Sequence, residues 1–215
     1  MVSWERVWLA GGGVRPAHLP ASELRRLIEP AGSGLKGRLL VATPTVGDPN
    51  FAGTVVLMLE HSDEEGAMGV VLNRPSDIHV AEHLPGWTDV VVEPPVVFLG
   101  GPVNPNTAMC MARVDAQMVD GGWSPVVGRV GTVDLSLDPD HAAPGVAEVR
   151  IFAGYAGWAP RQLEEEIEDG GWFVVDADPS DALSPVPDEL WRDVLRRQPG
   201  TVSLFADYPP DPSMN

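Results

Sequence analysis

Thr54-Val55-Val56-Leu57-Met58-Leu59-Glu60-His61, Ser62-Asp63-Glu64-Glu65-Gly66 and Ala67-Met68-Gly69-Val70-Val71-Leu72-Asn73 follow one another without interruption. The outer segments are apolar and β-branched, and the middle one is polar and ends in glycine. That pattern predicts a β-hairpin with a five-residue loop. Its apolar runs are continuous rather than alternating, so both strands are expected to be covered on both faces. Antiparallel pairing sets His61 beside Ala67 and brings Thr54 near Arg74. Asp48-Pro49-Asn50-Phe51 and Asn73-Arg74-Pro75 then share one end of the hairpin. His61 lies at the other end, about 20 Å away at ~3.3 Å per residue.

Working outward, residues 38–42 read as a buried strand before the hairpin. Residues 78–83 fit a short helix closed by Pro85-Gly86, and 96–99 a strand running into Gly100-Gly101-Pro102. Strands are expected at 108–114, 129–134 and 148–153, the last followed by a loop, Gly154-Tyr155-Ala156-Gly157-Trp158. Pro160 opens a helix through Glu168, because proline suits a first helical turn. A strand at 172–175 and a helix at 187–197 complete the set. A helix at 21–29 precedes it. Residues 1–20 look like a poorly ordered extension and 207–215 like a frayed tail, which leaves a single domain over 21–206. The fold class is α+β.

The 215-residue chain carries 31 acidic and 14 basic residues, a formal charge of −17. Nucleic acid binding needs a Lys/Arg footprint that releases counterions, so this surface repels phosphate backbones. The densest cation groups, Arg25-Arg26 and Arg192, Arg196 and Arg197, share their helices with acids and read as solvated faces. An anionic membrane is disfavoured for the same reason. No apolar run approaches the ~20 residues of a membrane span. Trp4, Glu5, Arg6 and Trp8 stand where a signal peptide wants a basic start and an apolar core, so the cytoplasm is the expected compartment. The single cysteine, Cys110, excludes an internal disulfide and is expected to be a buried, inert thiol.

Several strings resemble functional motifs without their context. Residues 32–37 match G-x-G-x-x-G, but a helix precedes and a strand follows, the reverse of a dinucleotide fold. His79-Val80-Ala81-Glu82-His83 matches H-x-x-E-H, yet the predicted helix is barely two turns and no third ligand is evident. Glu60 and His61 are neighbours on a strand and point to opposite faces unless a bulge intervenes. No cofactor, catalytic residue or metal ligand set is predicted. Glycines after buried strands mark places where ligands collect in open sheets. They define a candidate pocket of Asp48, Asn50, Asn73, Arg74, Gly100, Gly101, Tyr155 and Trp158. There Arg74 would hold an anionic group, and Asn73 and glycine backbone would supply hydrogen bonds.

The ordered set Leu39-Leu40-Val41-Ala42-Thr43-Pro44, Asp48-Pro49-Asn50-Phe51, Glu60-His61, Gly66-Ala67-Met68-Gly69, Leu72-Asn73-Arg74-Pro75, Phe98-Leu99-Gly100-Gly101-Pro102-Val103 and Gly154 to Pro160 resembles the bacterial AlgH/YqgE family. The resemblance covers about 35–204. It implies a cytosolic αβα-type sandwich around a mixed, largely antiparallel sheet, with a smaller α/β portion from the middle of the chain. No catalytic activity or cofactor is established across that family, so the resemblance supplies neither. Members carry a transcriptional-regulator label from an association with alginate regulation. The reading is therefore a non-enzymatic regulatory or binding protein that acts through protein contacts or a small ligand. An acidic surface favours a basic partner. An enzyme or anion-binding protein using the Arg74, Gly100 and Tyr155 pocket is the alternative, and direct DNA binding is the weakest reading.

Overall fold

The computed structural model describes residues 34–115, 122–135 and 145–208. The expected helix at 21–29 and extension at 1–20 lie outside these residues, as does most of the expected tail. The leading strands are β1 (Arg38–Ala42), β2 (Val55–Ser62) and β3 (Gly66–Val71). β2 and β3 form the predicted hairpin, with His61 opposite Ala67. The pairing extends to Ser62 and Gly66, so the loop is shorter than expected. A bulge between Met58 and Glu60 shifts the register by one residue. The Leu72 amide consequently donates to the Val55 carbonyl at 2.8 Å, and Asn73 rather than Arg74 comes beside Thr54.

β1 is flanked by β2 on one side and by β10 (Trp172–Asp176) on the other, both antiparallel. Side chains alternate across this sheet as the pleat requires. Leu39, Val41, Val55, Leu57 and Val70 face one layer, where Leu190, Val194 and Leu195 of α3 (Pro187–Arg196) pack with Val202 and Ala206. Leu40, Ala42, Val56, Met58 and Val71 face the other, against Leu163 and Ile167 of α2 (Gln162–Glu168). These strands therefore read as unbroken apolar runs because a helix covers each face. Spacings of four and five residues put the apolar side chains of α2 and α3 on one stripe each.

The middle of the chain builds the rest of the ten-stranded arrangement. It contains β4 (Pro75–His79), α1 (Val80–His83), a 3-10 turn at Pro85–Val90, β5 (Val96–Leu99), β6 (Val103–Val114), β7 (Trp123–Val127) and β8 (Val130–Val133). The expected helix at 78–83 is corrected. Residues 75–79 are a strand paired with β5, and only one helical turn follows. Ser76 drives this start by donating its hydroxyl to the Val97 carbonyl at 2.6 Å. β7 was not expected. Trp87, Cys110, Ala112, Val149 and Ile151 form a separate core here. No helix among the described residues is long and apolar enough to cross a membrane.

β9 (Val146–Trp158) links the two regions. The expected loop at 154–158 is corrected: those residues continue the strand. The first part of β9 pairs with β6 and, in parallel, with β5, while Ala156, Gly157 and Trp158 pair with β3. The change of partner occurs at Gly154, which takes a positive φ of 71°. A Cβ there would lie 2.6 Å from the Gly101 carbonyl oxygen, and one on Gly101 would lie 2.3 Å from the Tyr155 carbonyl carbon. The two glycines let three strands meet backbone to backbone.

β9 also carries Arg150, which is 1% exposed. Its guanidinium donates to the Glu93 carbonyl at 2.7 Å and lies 4.3 Å from the centre of the Phe98 ring. Burial pulls its pKa down to about 10, so it stays charged at neutral pH. The crowding at the junction sets a prediction. Gly101→Ala is expected to cost about 3 kcal/mol or more, since neighbouring backbone must move. Urea denaturation checks this, and a loss under 1 kcal/mol would refute the close-packed junction.

Candidate functional site

The eight residues singled out in the sequence divide between two ends of the hairpin. At one end Asn73 holds backbone: its Oδ1 accepts from the Val55 amide and its Nδ2 donates to the Gly53 carbonyl, both at 2.9 Å. Arg74 Nη2 donates to the Pro49 and Ala52 carbonyls at 3.2 and 2.8 Å. Asp48 Oδ1 accepts from the amide and side chain of Asn50. These four residues shape the 48–53 turn through their own contacts. Gly100 is tied into the strand junction, donating to the Ala153 carbonyl and accepting from the Val71 amide at 2.9 Å each.

Tyr155 and Trp158 belong to the opposite end. There the close of β2, the start of β3 and the close of β9 border a cleft of about 600 Å³. Met68, Val103 and Tyr155 give it an apolar wall, and Glu60, His61 and Glu65 a polar one. Tyr155 is within reach because β9 continues past Gly154 as a strand and pairs with Val103. Asn104 Nδ2 donates to the Tyr155 hydroxyl at 3.3 Å. The expected pocket thus contributes Tyr155 and Trp158 to this cleft, whereas Asp48, Asn50, Asn73, Arg74, Gly100 and Gly101 are not among its lining.

The other lining residues, His61, Glu65 and Met68 among them, lie outside the pocket expected from the sequence. His61 Nε2 lies 2.7 Å from Glu164 Oε1, and the imidazole is only 10% exposed. Glu60 turns to Lys36, at 2.7 Å. The neighbouring Glu60 and His61 therefore have separate partners, although both border the cleft. The sequence signal for His61 is its place beside a glycine-ended polar loop. Its partner lies 103 residues away on α2, beyond any local pattern.

Glu166 of α2 anchors Trp158, one of the lining residues. Its Oε2 accepts from the indole N–H groups of Trp158 and Trp172 at 2.9 Å each, and its Oε1 accepts from Gln162 at 2.9 Å. The two indoles meet edge to face with centroids 6.0 Å apart, and Phe51 stacks on Trp158 at 6.1 Å. One carboxylate thereby satisfies two buried N–H donors and fastens α2 over the sheet.

The cations are largely engaged. Arg197 forms a fork with the nearly buried Asp181, Arg196 pairs with Asp193 at 3.3 Å, and Arg192 lies 3.9 Å from Glu189. The group weighed as a nucleic-acid footprint is thus neutralised on its own helix and the adjoining turn. Arg25-Arg26 lie outside the described residues. His79 closes β4 and His83 ends the single turn of α1, so they do not share a helix face.

Two outcomes follow from these contacts. Glu166→Ala leaves two indole donors without their acceptor and is expected to cost about 2–3 kcal/mol. A chemical-denaturation midpoint unchanged from wild type would refute the carboxylate's anchoring role. Burial pushes the Cys110 thiol up to about 12. At pH 8 a disulfide reagent is therefore expected to label Cys110 only after unfolding, and rapid native labelling would contradict its burial.

The AlgH-like family model matches residues 39–203. A UPF0301 protein of Streptomyces coelicolor is 52% identical over 187 residues, covering 85% of this chain and 96% of the relative. One from Mycobacterium avium is 46% identical over 200 residues, covering 91% and 99%. The crystal structure of a protein from Corynebacterium diphtheriae superposes with a TM-score of 0.77 at 37% identity, covering 85% of this chain and 96% of that one. The solution structure of the AlgH protein from Pseudomonas aeruginosa gives 0.62 at 29% identity, with coverage of 85% and 98%. The extent of these matches, together with the shared sheet, establishes that the chain belongs to the AlgH-like family.

Proposed function

We propose that this chain is a non-enzymatic binding protein whose cleft receives a basic, amphipathic segment of a partner protein. The observation that carries this reading is the meeting of Tyr155, Met68 and Val103 with Glu65 and the Lys36-paired Glu60 around one cavity. An apolar wall gains from burying a hydrocarbon stem, and carboxylates at its edge favour the positive end of that stem. Lysine and arginine side chains combine both properties. The overall charge of −17 adds long-range attraction for such a partner and repels polyanions.

The enzyme or anion-binding alternative rests on Arg74. Its guanidinium already donates to two backbone carbonyls, which favours a role in holding the 48–53 turn. Direct DNA binding has less support still, because Arg192, Arg196 and Arg197 all have acidic partners.

Calorimetric titration with short peptides tests the proposal, using sets matched in length that carry Arg/Lys or Asp/Glu beside an aromatic residue. Basic peptides are expected to bind, more weakly as salt rises. Tyr155→Ala should lower their affinity about tenfold or more, the equivalent of roughly 1.5–3 kcal/mol of lost apolar contact. Arg74→Ala should leave it within about twofold. Equal binding of acidic peptides, or an unchanged affinity in Tyr155→Ala, would reject the cleft as the docking site.

A further inference from the structure

We propose that His61, Asp63 and Glu164 form a site for a divalent transition-metal ion, with zinc as its reference occupant, on the wall of this cleft. Their donor atoms lie within 4.8 Å of one another. The set joins the end of β2, the adjoining turn and helix α2. One imidazole nitrogen and two carboxylates make a protein ligand set of the kind that binds zinc. The nitrogen donor separates it from an oxygen-only magnesium or calcium site.

Three features of the surroundings support occupancy. The imidazole is 10% exposed, so packing already limits its orientation. Its Nε2 lies 2.7 Å from Glu164 Oε1, so a ring nitrogen and a carboxylate oxygen are already adjacent. Asp63 forms no hydrogen bond or ion pair among the described residues, and no lysine or arginine among them pairs with Glu164. Two carboxylates thus converge on the imidazole with no lysine or arginine paired to either among the described residues.

The required adjustment is small. Zinc–ligand bonds near 2.0–2.1 Å put tetrahedral ligand atoms about 3.3 Å apart. His61 and Glu164 must part by about half an ångström, and exposed Asp63 must swing inward. Three protein ligands leave a fourth position open to water or another ligand. Of the three, His61 also lines the cleft. The ion and a basic group would draw on the same negative potential, and each would weaken the other's binding. The metal site does not depend on the peptide reading, because it is measured on the protein alone.

The experiment is calorimetric titration of chelator-treated full-length protein with Zn2+, paralleled by Co2+ titration read from visible d–d absorption. One ion per chain is expected to bind, and the cobalt bands are expected to indicate four- or five-coordination. His61→Gln and Asp63→Asn should each lower zinc affinity about tenfold or more, while a His79→Ala/His83→Ala double variant retains it. Asp63→Asn keeps the test sound if His61→Gln destabilises the fold, since Asp63 sits in an exposed turn without polar contacts among the described residues. Loss of zinc in the His79/His83 variant, undiminished affinity in Asp63→Asn, or no binding at 100 μM Zn2+ would each overturn the site. Peptide binding measured in metal-free protein separates failure of this site from failure of the docking cleft.

Discussion

The contact between Gly101 and the Gly154-Tyr155 backbone is the constraint on which the rest of the structure depends. β9 pairs with β6 along one edge as far as Tyr155, while its other edge pairs with β5 up to Ala153 and with β3 from Ala156. It changes partner where a positive-φ residue lets the strand turn while its peptide groups stay bonded. The neighbouring chain passes so close that side-chain carbon is excluded at both positions. Once this crossing is fixed, the close of β9 lies against the start of β3. The cleft results from that placement, because Tyr155 and Trp158 are carried there by the strand beyond the crossing.

The second requirement is that the sheet be covered on both faces. α3 meets one face with Leu190, Val194 and Leu195, and α2 meets the other with only Leu163 and Ile167 as buried side chains. A helix of seven residues with two apolar anchors is short for independent stability. Polar bonds offset this. Glu166 joins two indoles and His61 joins Glu164, so α2 is fastened through charged groups at both the aromatic cluster and the hairpin end. The run Glu164-Glu165-Glu166 is therefore differentiated: its first and third members have specific partners, whereas Glu165 faces solvent.

Local patterning made much of this legible. Apolar runs broken by a polar, glycine-ended loop identified the hairpin and its far-end pairing, because register there is set by the turn. The bulge after Met58 was not legible, since an extra strand residue leaves the apolar pattern intact. Gly154 to Trp158 looked like a loop because glycine ordinarily interrupts strands, but here close approach of another backbone selects it. Residues 78–83 carried helical residue types, yet the Ser76 bond and pairing with β5 hold their start extended. Tyr155 and Trp158 were found as site candidates from glycine-rich context. His61 with Glu164, and Arg150 over Phe98, depend on partners brought close only by the folded sheet.

The charge distribution connects the fold to the proposed docking cleft. Lys36, Arg38, Arg113 and Arg197 are paired with acids, Arg74 holds a turn, and Arg150 is enclosed. These described cations serve the fold, so the chain's excess of carboxylates is left to face solvent. An exposed carboxylate retains its hydration and contributes little to stability, but many together establish a potential that extends about a Debye length. At the cleft that potential meets low-polarity surface from Met68, Val103 and Tyr155, where fewer water molecules can screen it. In the proposed docking mode, a positive group entering there would experience more of the field than on the open surface. Carboxylates gathered at one cleft would then hold it better than the same groups scattered.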